Sequence, residues 1–204
     1  MLAYIFWHRP QPEVTVQDYE AALIACHEGL AKAAPHGLLA SATYRIDEVP
    51  WLRGRSGYED WYLVEGFGAL EALSQQAVRG VAKPVHDVIA ERSSPGHGGL
   101  YRLVGGEAMN LDHSTVWWVT RPRGVPYEPV VRDFCSRLGD ASSGWRRMLA
   151  LGPAPELALV DGARRTPALP PGWKGIPIAH DILWPMPGSQ HRVGSSASQL
   201  PASL

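Results

Sequence analysis

The period of apolar positions changes along the chain, and each change marks an element. Ala3 to Arg9 (AYIFWHR) is aromatic and β-rich and is closed by Pro10, which predicts a strand. Thr15 stands where a helix N-cap belongs, and Tyr19, Leu23, Cys26 and Leu30 then recur at helical spacing until Pro35-His36-Gly37 ends the run. Leu38 to Val49 and Tyr58 to Glu65 read as strands joined through the turn-rich WLRGRSG. Gly68 to Val78 is helical in composition, Gly80 interrupts it, and Lys83-Pro84 opens a shorter helix with proline at a permitted first-turn position. SSPGHGG then reads as a break and LYRLVGG as a fourth strand. The order strand-helix-strand-strand-helix-strand over residues 1–106 is that of a ferredoxin-like unit, whose sheet leaves one face for something else to bury.

The remainder repeats this pattern in shortened form. Thr115 to Pro122 (TVWWVTRP) has the character of IFWHRP near the N-terminus, both ending in Arg-Pro. Tyr127, Val131, Phe134 and Leu138 match the spacing of Tyr19, Leu23, Cys26 and Leu30. WRRMLALG and PELALVDG predict a hairpin, and IPIAHDILW a closing strand. Between them Pro167, Pro170 and Pro171 exclude the second helix that the repeat would require. The expected organisation is a complete half over 1–106, a degenerate half over 107–184 lacking a helix, and a flexible polar tail over 185–204.

This order, with IFWHRP repeated as VWWVTRP, resembles the dimeric α+β barrel superfamily. The resemblance spans about residues 1–184 and implies tandem ferredoxin-like (βαββαβ) repeats packed sheet to sheet as an intramolecular α+β barrel. It also implies a cavity between sheet and helices, for which the complete first half is the better host. Proteins similar in this way include antibiotic-biosynthesis monooxygenases that need no cofactor, EthD-like proteins, muconolactone-isomerase-like enzymes and haem-handling proteins. Such a fold does not by itself select a function.

Composition narrows the classes. With 204 residues, 45% hydrophobic and 19% charged, the chain can bury a core without staples, and a formal net charge of -1 argues against nucleic acid or an anionic membrane as partner. A small-molecule ligand is expected, and the molecule could form a homodimer. Cys26 and Cys135 lack the spacing of zinc or redox motifs and read as reduced thiols. The start MLAYIFWHRP shows no signal-peptide pattern and no stretch reaches the roughly 18 apolar residues needed to span a bilayer, so a cytoplasmic location is expected. Eight Trp are available to build a core or line a cavity.

Strand alternation places Tyr4, Phe6 and His8 on one face of the first strand and Ala3, Ile5 and Trp7 on the other. His8 is therefore the candidate general base, the plainer alternative being a histidine that caps a loop carbonyl. Tyr44 and Tyr62 are candidate hydroxyl contacts for a substrate, Trp61 a candidate pocket wall, and Arg9 a candidate carboxylate contact at a cavity mouth. His86, in the second helix, is a candidate ligand contact and the first choice of axial ligand should haem bind, since one His suffices for that. His27, His36, His97 and His113 read as scattered. No H-E-x-x-H, cysteine set or facial-triad spacing marks a metal site, and no G-x-G-x-x-G, P-loop or G-x-S-x-G appears, so no resident cofactor is expected. The sequence supports a small-molecule enzyme performing cofactor-independent oxygenation or proton transfer on an aromatic or polyketide-like compound. The alternative is a non-catalytic protein that holds a small molecule or haem.

Overall fold

In a computed structural model the chain is described over residues 1–106, 111, 115–138, 142–161 and 165–184. The tail predicted over 185–204, His113 and the side chain of Leu138 lie outside that description. Among the described residues, eight strands and four helices make an α+β fold. They are β1 (Leu2–Pro10), α1 (Val16–Ala33), β2 (Leu38–Val49), β3 (Arg55–Val64), α2 (Phe67–Val78), α3 (Lys83–Arg92), β4 (Ser93–Gly106), β5 (Thr115–Thr120), α4 (Glu128–Leu138), β6 (Ser142–Leu151), β7 (Leu157–Asp161) and β8 (Lys174–Trp184). A single turn of 3-10 helix, Pro50–Leu52, sits between β2 and β3.

The strands close into an antiparallel barrel in the order β1-β3-β2-β8-β5-β7-β6-β4. Two runs of four, β4-β1-β3-β2 and β8-β5-β7-β6, meet at the β2–β8 and β4–β6 seams. The inward positions of all eight strands fill the barrel. Trp7, Trp61, Trp118, Trp145, Tyr44 and Tyr101 are fully buried there, with aliphatic residues such as Ile5, Leu63 and Val160 between the rings. Trp7 and Trp118 meet edge to face at 5.2 Å between centroids, the offset geometry that ring quadrupoles favour. This interior is the apolar face that the first four strands alone would have left bare.

The helices lie outside. Thr15 caps α1 by accepting from the Asp18 amide at 3.1 Å, and Tyr19, Leu23, Cys26 and Leu30 form its buried stripe. Gly29 lets α3 approach α1 closely, since a Cβ there would stand 2.6 Å from Val85. On the other side of the barrel α4 presses on the sheet at Gly105 and Gly144, where an added Cβ would meet Val131 at 2.8 and 2.5 Å.

One element departs from the sequence expectation. SSPGHGG is not a break but the first half of β4, paired with β1 from Pro10↔Ser93 to Phe6↔Gly98. Its glycines make room for rings instead of turning the chain. A Cβ on Gly96 would lie 2.5 Å from the Phe6 ring and one on Gly98 3.1 Å from Tyr4, so both rings rest on bare backbone.

Candidate active site

A cavity of about 780 Å³ separates the outer face of β1, β3 and β4 from α1, α2 and α3. Its volume is within the range of small-molecule sites. The helices contribute an apolar wall that includes Leu23, Leu30, Leu70, Leu73 and Ile89, and Leu149 and Leu151 of β6 reach in from the neighbouring strand. The strands contribute rings. Tyr4, Phe6 and His8 stack in sequence up β1, at 6.3 and 5.3 Å between centroids, and Tyr62 lies flat on His27 at 5.2 Å.

The polar end of this cavity centres on Asp60, which is 4% exposed. A buried carboxylate needs partners, and Asp60 has two imidazoles and a phenol. His8 Nε2 lies 3.1 Å from Oδ2, His27 Nε2 lies 3.6 Å from Oδ1, and the Tyr62 hydroxyl donates to Oδ2 at 3.2 Å. Burial works to raise the Asp60 pKa, but the charge of His8 and the contacts with both histidines outweigh it and hold the carboxyl well below its usual range. The outer ring nitrogens are also engaged. His8 Nδ1 shares a 2.6 Å hydrogen bond with the Tyr19 hydroxyl, and His27 Nδ1 one of 3.0 Å with Ser41 Oγ. Nearby phenols are kept protonated. Burial, reinforced by the Asp60 charge, raises Tyr4 and takes Tyr62 well above its ordinary value. Cys26 lines the cavity too, but the same two causes push its thiol up to about 12, so it is no nucleophile at neutral pH.

Of the residues nominated from sequence, His8, Tyr62 and His86 line this cavity. His86 is half-buried on α3, 3.7 Å from its neighbour Asp87, and takes no part in the Asp60 cluster. Tyr44 and Trp61 are placed elsewhere, inside the barrel. Trp61 alternates with Tyr62 and so must face the opposite way, and Tyr44 pairs in register with Glu59, which also points inward. The Tyr44 hydroxyl donates to the Leu111 carbonyl and its ring stacks on His180 at 4.2 Å. Arg9 is half-buried at the end of β1 and is not part of the cavity wall. Among the described residues, no group of three or more His, Cys, Asp or Glu is placed to hold a metal ion.

No motif or spacing in the sequence marks Asp60 or His27 as a site residue. The available signal was Glu59-Asp60, two acids in the middle of an aromatic strand. Such residues are depleted in strands and require compensation when buried, so the pair implies cations or hydrogen-bond donors facing it. Glu59 is fully buried on the inner side, where Trp7 Nε1 donates to Oε2 at 2.7 Å, Trp61 Nε1 donates to Oε1 at 2.6 Å, and His180 Nε2 lies 3.2 Å from Oε1.

Fold and site together define a closed α+β barrel that carries a ligand-sized cavity with a histidine-flanked carboxylate. Solved structures share this fold. A Fusobacterium nucleatum protein described as a "putative monooxygenase" matches with a TM-score of 0.61 at 9% identity, covering 89% of this chain and 92% of that one. A Lactobacillus acidophilus protein described in the same words matches with a TM-score of 0.56 at 8% identity, covering 89% and 94%. An anthrone oxidase-like protein gives 0.49 at 11% identity, covering 89% and 90%. No protein-family model and no curated protein matches the sequence. No helix among the described residues is long and apolar enough to cross a membrane.

Proposed function

We propose that the chain is a small-molecule enzyme whose active site is the cavity over β1, β3 and β4, and that His8 is its general base. The reading rests on one observation: a buried carboxylate, Asp60, held against His8 at the polar end of an otherwise apolar and aromatic cavity. A carboxylate so placed orients an imidazole and stabilises the imidazolium formed when it takes a proton. The stacked rings suit a flat aromatic or polyketide-like ligand. Loss of a proton next to a carbonyl, or from a phenol, leaves an electron-rich anion. That anion can be reprotonated at another position, or it can transfer electrons to O2 and become oxygenated, with O2 as the oxidant. The likeness in fold to proteins described as monooxygenases favours the second course. The repeated strand order β4-β1-β3-β2 and β8-β5-β7-β6 supports a duplicated ferredoxin-like origin, with the three-helix half keeping the site.

The test is O2 consumption and product formation by the purified chain with a panel of hydroxylated polycyclic ketones, beside His8→Ala. Turnover that falls by about 10²–10⁴-fold in the variant supports the reading. Ligands that bind without any turnover in either protein would replace it with a carrier function.

A further inference from the structure

The base reading leaves a difficulty in the geometry of His8. Its side chain is only 2% exposed, its ring stacks on Phe6 and Tyr58, and neither nitrogen faces open cavity. Nε2 is turned to Asp60 and Nδ1 to Tyr19. A substrate cannot hand a proton to His8 directly.

The Tyr19 hydroxyl continues outward. It lies 2.8 Å from Ser93 Oγ, and Ser93 lines the cavity at the start of β4. Ser93 can in turn donate to the Ile89 carbonyl at 2.7 Å. Each hydroxyl has one proton and two neighbours able to accept one, so the chain can run in either of two directions. When Ser93 donates to Tyr19 and Tyr19 to Nδ1, His8 is neutral, with its N–H on Nε2 facing Asp60. When Nδ1 donates to Tyr19, Tyr19 to Ser93 and Ser93 to Ile89, His8 holds one more proton and is an imidazolium against the Asp60 carboxylate. The two arrangements differ by one proton delivered at Ser93.

We propose that Ser93 and Tyr19 form the relay through which His8 deprotonates the substrate, with Ser93 Oγ as the atom that meets it. The proposal rests on His8 being the base. The substrate C–H or O–H bond breaks as a new Ser93 O–H forms, the former Ser93 proton moves to Tyr19 Oη, and the former Tyr19 proton moves to His8 Nδ1. The electron pair stays on the substrate, which becomes an anion, and His8 becomes the imidazolium. Rotation of the Ser93 hydroxyl then turns its new proton from the substrate to the Ile89 carbonyl, while Tyr19 already donates to Ser93. The return of a proton to product runs the same steps backward.

The experiment uses 5-nitrobenzisoxazole, a flat aromatic probe that opens to a coloured phenolate when one C–H proton is removed and needs no cofactor. The full chain should accelerate its opening and His8→Ala should abolish the acceleration. Tyr19→Phe and Ser93→Ala should each lose roughly 10²-fold, with Ser93→Thr recovering most of the rate. Rates in mixtures of H2O and D2O report how many protons move together. The dependence should be curved for the wild-type chain and linear for Ser93→Ala, a change that mere support of the His8 ring would not produce. Should Tyr19→Phe fail to fold, Ser93→Ala carries the test alone. His8-dependent opening with a linear dependence and full activity in Ser93→Ala would overturn the relay and leave the base. No His8-dependent opening at all would overturn both.

Discussion

Glu59 and Asp60 are neighbours in sequence and are both buried, yet they lie on opposite sides of one strand with different partners. Glu59 points into a packed barrel and takes two indole N–H donors, Trp7 and Trp61, with His180 beside it. Asp60 points into an open cavity and faces His8, His27 and Tyr62. The first carboxylate is not among the residues that line the ligand-sized space. The second lines 780 Å³ of it. Burial and charge are common to the two acids; the space beside Asp60 is what sets them apart.

Exchanging the readouts would break this contrast. The largest effect is expected for Asp60→Asn, which should lower any His8-dependent turnover by about 10²–10⁴-fold while the fold persists. Parallel rate assays and thermal unfolding check it, and retained activity would remove Asp60 from the chemistry. Glu59→Ala should act on stability, at roughly 3–5 kcal/mol, because it removes the buried carboxylate that accepts from the Trp7 and Trp61 indoles and lies beside His180. A urea titration measures this, and an unchanged midpoint would show that the inner acid secures nothing. Glu59→Gln keeps the shape but has one acceptor oxygen for two indoles, so a smaller loss of about 1–3 kcal/mol is expected.

The pH dependence sharpens the contrast further. The folded Asp60 carboxyl titrates below its unfolded value of about 3.9, so the unfolded chain binds the proton more readily. Its contribution to stability is complete above that pH and is lost as the pH falls below it. Urea midpoints between neutral pH and about pH 3 should therefore decline less steeply in Asp60→Asn than in the wild-type chain. Equal slopes would mean that the charge is not held as described. The smallest change is expected for Tyr62→Phe, which deletes one hydrogen bond to Asp60 and should cost about 0.5–1.5 kcal/mol by thermal unfolding.

Much of the architecture was legible from periodicity. The strand and helix order needed only local patterns, and the stripe Tyr19, Leu23, Cys26, Leu30 is buried as its spacing implies. β4 was half missed because glycine signals a turn locally, while here it answers to the Tyr4 and Phe6 rings on the strand beside it. The site was only partly legible. Alternation on β1 sets His8 on the cavity side, opposite Trp7, and the same rule sets Trp61 opposite Tyr62, inside the barrel. His27 reads as scattered because its partner, Asp60, is 33 positions away in sequence and is brought near only by packing of α1 on β3. No spacing rule reaches across such a gap.

The β2–β8 seam has a consequence for the order of assembly. It joins Thr43–Ile46 to His180–Trp184, so the barrel cannot seal until the last described strand exists. During synthesis Trp7, Tyr44 and Trp61 emerge early on a sheet whose inner side has nothing to cover it, and they wait for the distant strands to arrive. Pairings this remote in sequence are slow to form, and the exposed rings meanwhile are a target for chaperones and for aggregation.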